Sequence, residues 1–209
     1  MDPTNETSRD LMPSYLGGKS FLVACPEGEK LKVSPVTPAT DNIVEIETAG
    51  SVGKDGTAYL KSEISFGGVN DGIYRGAFLR RKKDMMRPFI ERIVASSLKG
   101  AELISFEIKP ENLHDMTKPL HLSLSIKVPE CSFERKTSYE LSIPFVSKAI
   151  GAASFILSGE TSLEKRKYPL EVFSTAAVSE RLTLNLDFGA GVPVFIPDSS
   201  EIKGKYGYF

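Results

Sequence analysis

An aspartate, a cysteine and a histidine are the residue types in this chain that could together attack a carbonyl group. The aspartate is Asp2, and the other two roles could be filled by Cys25 with His114 or His121. In such a site a thiolate attacks a carboxamide or peptide carbonyl, the histidine moves the proton, and the carboxylate orients the imidazole. A complete site would require the fold to bring all three side chains together.

The surroundings of the cysteine argue against a complete site. A reactive cysteine usually has its pKa lowered by a helix N-terminus or a cationic neighbour. Cys25 instead ends a short apolar run and is followed by Pro26 and Gly28, with no helical pattern behind it. We therefore expect a buried, inert thiol. His121 falls on the polar side of a strand and His114 in a turn, so both are expected to be solvated.

The residues around Asp2 carry the strongest hint of function. The run from Asp2 to Asn5, followed by a polar stretch and then Leu11-Met12-Pro13, resembles the aspartate motif that closes the catalytic core of bacterial transglutaminase-like proteins. The resemblance implies that Asp2 is the orienting carboxylate of a Cys-His-Asp triad. The family's cysteine and histidine precede this aspartate, so they would come from outside this chain. The alternative is ordinary turn chemistry, since Asp and Asn bond their own backbone.

The resemblance extends along most of the chain. Its other marks are single glycines, prolines and charges, namely Gly17-Gly18-Lys19, Pro38 with Asn42, Asp55-Gly56, Tyr74-Arg75, and Arg166 with Pro169. It implies a core tail and connector over 1–38, then a β-rich accessory domain with one helix over 39–209, cut short at its C-terminal end. It also implies a bacterial, periplasmic or extracytoplasmic protein. The chain lacks tryptophan, which such cores commonly carry.

Composition excludes several classes of function. The formal net charge is -1, which gives no general basic field for nucleic acid. No apolar run approaches the roughly 20 residues of a membrane span, and the first residues lack the apolar region of a signal peptide. The two cysteines, Cys25 and Cys131, have no metal-ligand spacing, and the sequence leaves open whether they pair. We expect neither a metal nor another cofactor.

Hydrophobic periodicity predicts an α+β fold. Residues alternate apolar and polar over 44–48, 60–66, 104–108, 120–128, 139–143, 170–172 and 182–188, which indicates a mostly antiparallel sheet or sandwich with one wet face. One segment switches to helical spacing and predicts a long amphipathic helix over about 84–99. Asp84 is its expected N-cap, Pro88 lies in its first turn, and Gly100 follows its end.

Two functions follow as expectations. The first is a non-catalytic accessory domain that supports a transglutaminase-like core and supplies Asp2 to its triad, inactive alone. The second is a module that holds a cell-envelope glycan or protein on the polar face or edge of the sheet, with Tyr59, Tyr139 and Phe209 as candidate aromatic contacts. The basic run over 80–83 could bind an acidic partner, although a solvated helix face is the ordinary explanation.

Overall fold

The computed structural model describes residues 7, 9–10, 12–136, 138–154, 172–187, 193, 195–205 and 207–208. These residues form a mixed α+β structure with one five-stranded sheet, three two-stranded sheets and α-helices, two of which lie entirely within the described residues. The strands of the large sheet are β3 (Ile43–Val52), β4 (Ala58–Phe66), β5 (Glu102–Lys109), β6 (Leu120–Val128) and β9 (Ala177–Leu186). Those two helices are α1 (Val69–Leu79) and α2 (Met86–Ser97).

The large sheet has the strand order β5-β6-β4-β3-β9. Hairpins β3–β4 and β5–β6 are antiparallel, and β6 lies between β5 and β4, so the chain crosses over β6 through the two helices. Strand β9 pairs with β3 in the parallel direction. The predicted antiparallel sheet is therefore confirmed for four strands, and the fifth is an exception that alternation does not reveal. Of the strand predicted over 170–172, residues 170 and 171 lie outside the described residues.

Alternation within each strand gives the sheet two different faces. In β6 the five apolar residues are buried and the four polar residues between them are partly exposed. We call the side carrying Val44, Ile64 and Leu122 the buried face, and the side carrying Glu47, Glu63 and Ser123 the open face. The hydrophobic core lies between the buried face and the two helices.

The helices differ from the single long helix that the sequence predicts. The predicted apolar stripe is confirmed, since Ile90, Ile93 and Val94 of α2 are buried in the core. The helix is shorter than 84–99, because a 3-10 turn over Lys83–Met85 precedes it and Leu98 is its C-cap with extended backbone angles. Its N-cap is Met85, not Asp84. A second helix of similar length, α1, packs Tyr74 and Phe78 into the same core.

Six shorter strands form the small hairpins. They are β1 (Ser20–Phe21) with β2 (Lys32–Val33), β7 (Ser132–Glu134) with β8 (Tyr139–Leu141), and β10 (Lys203–Gly204) with β11 (Gly207–Tyr208). The apolar residues in and beside the β1–β2 hairpin are not buried: Leu22, Leu31 and Val33 are each more than 60% exposed. No helix among the described residues is long and apolar enough to cross a membrane.

Candidate functional site

Asp2 lies outside the described residues, and so does Phe209, one of the three candidate aromatic contacts. The described part of the segment that follows Asp2 comprises Thr7, Arg9, Asp10 and the residues from Met12 onward. The described parts of the molecule that bear on the two expected functions are therefore that segment and the open face of the sheet.

The cysteines and histidines lie in separate parts of the molecule. Cys25 is a half-buried free thiol in the turn of the β1–β2 hairpin, less buried than expected. Cys131 is a buried free thiol after β6, and burial raises its pKa. His114 is exposed in the β5–β6 loop, whereas His121 lies on the open face with Nδ1 3.0 Å from the Ser65 hydroxyl. Each residue has its own structural setting.

Two glycines of α1 allow the N-terminal segment to cross the helix closely. A Cβ built on Gly72 would lie 3.4 Å from the carbonyl oxygen of Thr7, and one built on Gly76 would lie 3.4 Å from the Thr7 methyl group. Both glycines lie on the same side of α1 because residues four apart share a helix face. A larger side chain at either position would therefore press against the backbone or side chain of Thr7.

Arg9 ties the same segment to two other parts of the fold. Its Nε donates a hydrogen bond to the carbonyl of Met116 at 2.8 Å, and Nη2 donates to Thr117 at 3.4 Å. Its Nη1 lies 3.7 Å from the buried carboxylate of Asp71 in α1. One side chain thus joins the N-terminal segment to the β5–β6 loop and to α1.

A buried asparagine provides the next attachment point. Asn42 is fully buried, and its Oδ1 accepts hydrogen bonds from the Ser14 hydroxyl at 3.1 Å and the Val69 N–H at 2.9 Å. Its Nδ2 donates to the hydroxyls of Ser174 and Thr175. Asn42 therefore joins the N-terminal segment, the start of α1 and the approach to β9.

The open face presents a polar surface across all five strands. One row of cross-strand partners runs across the whole sheet from β9 to β5. Its members are Arg181, Glu47, Glu63, Ser123 and Glu107. Lysines flank this row, and Glu107 forms an exposed ion pair with Lys109 at 3.2 Å. Acidic and basic groups are thus mixed on this face.

A shallow groove runs along β6 on the open face. It has a volume of about 240 Å³, and we call it the serine groove; its lining residues are Lys61, Glu63, Ser105, Phe106, Glu107, Ser123, Leu124 and Ser125. The groove exists because β6 presents small serines between longer side chains of β4 and β5. The Ser123 hydroxyl donates a hydrogen bond to the Glu63 carboxylate at 2.5 Å.

The two described aromatic candidates have different positions. Tyr59 is 53% exposed and lies on the open face, opposite Lys127 and two residues along β4 from Lys61. Tyr139 is 40% exposed in the separate β7–β8 hairpin. Only Tyr59 is therefore on the same surface as the serine groove.

The basic run and its neighbours are partly used within the fold. Arg75 is completely buried in an ion pair with Asp71. The guanidinium of Arg81 lies 3.4 Å from the centroid of the Phe89 ring, a cation–π contact. These two arginines therefore stabilise the fold and are not displayed as a binding patch.

Sequence reasoning identified the strands of the open face but not the groove. The signal is present in the serines that alternate with leucines in β6, since small polar residues leave room on the polar side of a strand. Finding the groove also requires β4 and β5 as the neighbours of β6, which alternation does not supply. Among the described residues, no group of three or more His, Cys, Asp or Glu side chains could hold a metal ion.

Comparisons with family models, with curated proteins and with solved structures found no match to this chain.

Proposed function

We propose that this chain is a non-catalytic accessory domain that supports a transglutaminase-like core and contributes Asp2 to its Cys-His-Asp triad. The observation that supports it is the anchoring of the segment immediately after the motif. Thr7 packs over α1, Arg9 bonds to the β5–β6 loop, and Ser14 bonds to Asn42. A carboxylate that orients an imidazole must be held by a firmly anchored segment of backbone, because small displacements from the productive geometry lower the reaction rate strongly.

The proposal is tested by reconstitution. The chain is mixed with a transglutaminase-like core that carries the cysteine and histidine but lacks its own aspartate motif, and acyl transfer and peptide hydrolysis are measured. We expect activity only in the mixture, and a loss on the order of 10³–10⁴-fold with Asp2→Asn, as for other triads that lose the orienting carboxylate. Asp198→Asn, at an exposed position, is the matched control. Equal activity of the Asp2→Asn and control proteins would remove Asp2 from the mechanism.

The anchoring itself can be tested separately. A spin label at position 5, in a background with Cys25→Ser and Cys131→Ser, reports the mobility of the segment. We expect Arg9→Ala to increase this mobility, because it removes the bonds to Met116 and Thr117. An unchanged spectrum would show that Arg9 does not hold the segment and would remove this part of the structural support for the proposal.

A second candidate function is a binding module for a cell-envelope glycan or protein. The observation that favours it is the serine groove on the open face, with the exposed ring of Tyr59 on the same surface. Ser125→Leu would fill the groove without touching the core, since Ser125 lies on the open face. Envelope components that bind the unaltered chain but not this variant would support the candidate; equal binding to both would exclude the groove.

A further inference from the structure

We propose that the serine groove binds a neutral carbohydrate, with a sugar ring against Tyr59 and sugar hydroxyls bonded to Ser105, Ser125, Lys61 and Glu63. This inference rests on the second candidate function and names its ligand class. It is independent of Asp2 and of any catalytic core.

The groove offers the mixture of hydrogen-bonding groups that sugar hydroxyls require. A hydroxyl both donates and accepts, and the groove presents the acceptor-only carboxylate of Glu63, the donor-only ammonium of Lys61, and serine hydroxyls that can do either. The Lys61 ammonium and Glu63 carboxylate lie on one strand, two residues apart. A chain of hydroxyl groups laid along β6 can therefore find donors and acceptors in turn.

Tyr59 supplies the flat apolar contact that the groove itself lacks. Tyr59 lies on the same face of β4 as Lys61, two residues further along the strand, and is therefore next to the end of the groove at Ser125. Its ring is about half exposed, so one side can receive the apolar face of a sugar ring. An amphipathic ring with a polar tip is suited to such partly wet contacts.

Charge and polarity argue against other ligand classes. Nucleic acid and small anions require a cationic surface, but the groove carries two carboxylates, those of Glu63 and Glu107, for the single ammonium of Lys61. A purely apolar ligand would leave these groups desolvated without partners.

An added peptide strand is also a poor occupant of this groove. Strand addition uses the unpaired backbone groups at a sheet edge. The floor of the groove is β6, whose backbone is paired on both sides, with β4 and with β5. Recognition here must rely on side chains, which suits a ligand that carries many hydroxyls.

The experiment is calorimetric titration of the full chain with cellohexaose, chitohexaose and maltohexaose, with spermidine as a cationic probe. We expect at least one oligosaccharide to bind, and Tyr59→Ala to weaken it about tenfold, as for the loss of one ring contact. Ser125→Leu should abolish this binding. Thr183→Leu makes a similar change on β9, on the same face but outside the groove, and should leave the affinity unchanged.

The outcomes separate the ligand class from the binding function. Folding of each variant is checked by its thermal melt, and Glu63→Gln replaces Ser125→Leu if the latter fails to fold. If no oligosaccharide binds while Ser125→Leu abolishes capture of an envelope protein, the carbohydrate proposal is wrong and the second candidate stands. If neither an oligosaccharide nor an envelope protein binds, both the carbohydrate proposal and the second candidate function are wrong. Carbohydrate binding that none of the groove variants affects, or groove-dependent binding of spermidine alone, also overturns the proposal.

Discussion

Asp71 and Arg75, one turn apart in α1, form a buried two-point ion pair. Arg75 Nε donates to Asp71 Oδ1 at 2.7 Å and Nη2 donates to Oδ2 at 3.0 Å, with exposed side-chain fractions of 0% and 2%. Arg75 also donates to the carbonyls of Leu113 and Lys118, and Asp71 Oδ2 accepts from the Leu120 N–H. The pair therefore fastens the β5–β6 loop to α1.

Breaking this pair from one side should be strongly destabilising. Arg75→Met leaves the buried Asp71 carboxylate without its two-point partner, so that the more distant guanidinium of Arg9, 3.7 Å away, is the counter-charge that remains, and we expect the free energy of unfolding to fall by about 3–5 kcal/mol. Replacing both residues, as Arg75→Met with Asp71→Leu, should lower the free energy of unfolding by less than Arg75→Met alone, because no buried charge remains at this position. Urea denaturation measures both. Arg135→Met is the control: it breaks an exposed ion pair with Glu140 and should cost less than about 1 kcal/mol. Equal losses for the two arginines would contradict the buried pair.

Tyr74 should make the fold sensitive to alkaline pH. Burial of its hydroxyl raises the pKa of Tyr74 above the ordinary value of 10.0, although the hydrogen bond that Gly151 N–H donates to the oxygen opposes this. The folded protein then holds a proton that the unfolded chain releases from about pH 10 upward, so stability is fully present below that pH and is lost as pH rises through the raised pKa.

The measurement compares urea midpoints of the unaltered chain and Tyr74→Phe at several pH values. At neutral pH the variant should be less stable by about 1–3 kcal/mol, because the Gly151 N–H loses its acceptor. Above pH 10 the difference should narrow, since phenylalanine does not ionise. A difference that stays constant with pH would show that Tyr74 does not carry this dependence.

Gly68 should tolerate no side chain. Its φ is +51°, and a Cβ would lie 2.1 Å from Asn42 Oδ1 and 2.5 Å from the Asp41 carbonyl oxygen. We expect Gly68→Ala to lower the free energy of unfolding by about 2–4 kcal/mol, from backbone strain and a displaced hydrogen-bond partner. Gly28 is the matched control, since its φ is also positive but no atom lies within 4 Å of its Cβ position. Gly28→Ala should cost only about 1–2 kcal/mol in thermal or urea unfolding. Similar losses at both sites would show that contact with Asn42 is unimportant.

Thr48 and Ser62 form a hydroxyl pair within the buried face of the sheet. They are cross-strand partners in β3 and β4, both buried, with their oxygens 2.9 Å apart. Thr48→Val leaves the Ser62 hydroxyl without this partner and should cost about 1–3 kcal/mol, whereas Thr48→Val with Ser62→Ala should be closer to neutral. A double variant as unstable as the sum of the single ones would mean that the two hydroxyls do not act as a pair.

The strands were predictable because alternation is a local property. Successive side chains of a strand point to opposite faces, so the pattern over 120–128 predicted β6 and both of its faces without knowledge of any neighbour. The helical stripe of Ile90, Ile93 and Val94 was predictable for the same reason. The ends of α2 were not, because the chain before it forms a 3-10 turn instead of a capped helix start.

The candidate sites were only partly predictable. The sequence suggested Asp2 through resemblance and Tyr59 through its place on a polar face, and the exposure of Tyr59 is confirmed. It offered the basic run over 80–83 as a surface for an acidic partner, whereas the structure places the guanidinium of Arg81 from that run over the Phe89 ring. The charge of a residue does not reveal whether a partner will be folded against it.

The sequence by itself determined the central parts of β3, β4, β5, β6 and β9 and the apolar stripe of α2, together with the side of each that faces the core, except at Ile104, which is 51% exposed beside the irregular register of β5. Tertiary structure decided that β9 lies parallel to β3, that β6 separates β4 from β5, and that Asn42 is buried among partners as distant as Ser174, 132 positions away. The physical reason is the range of the interactions involved. Side-chain direction depends on local backbone geometry, whereas strand neighbours and buried hydrogen-bond partners depend on contacts between residues that only folding brings together.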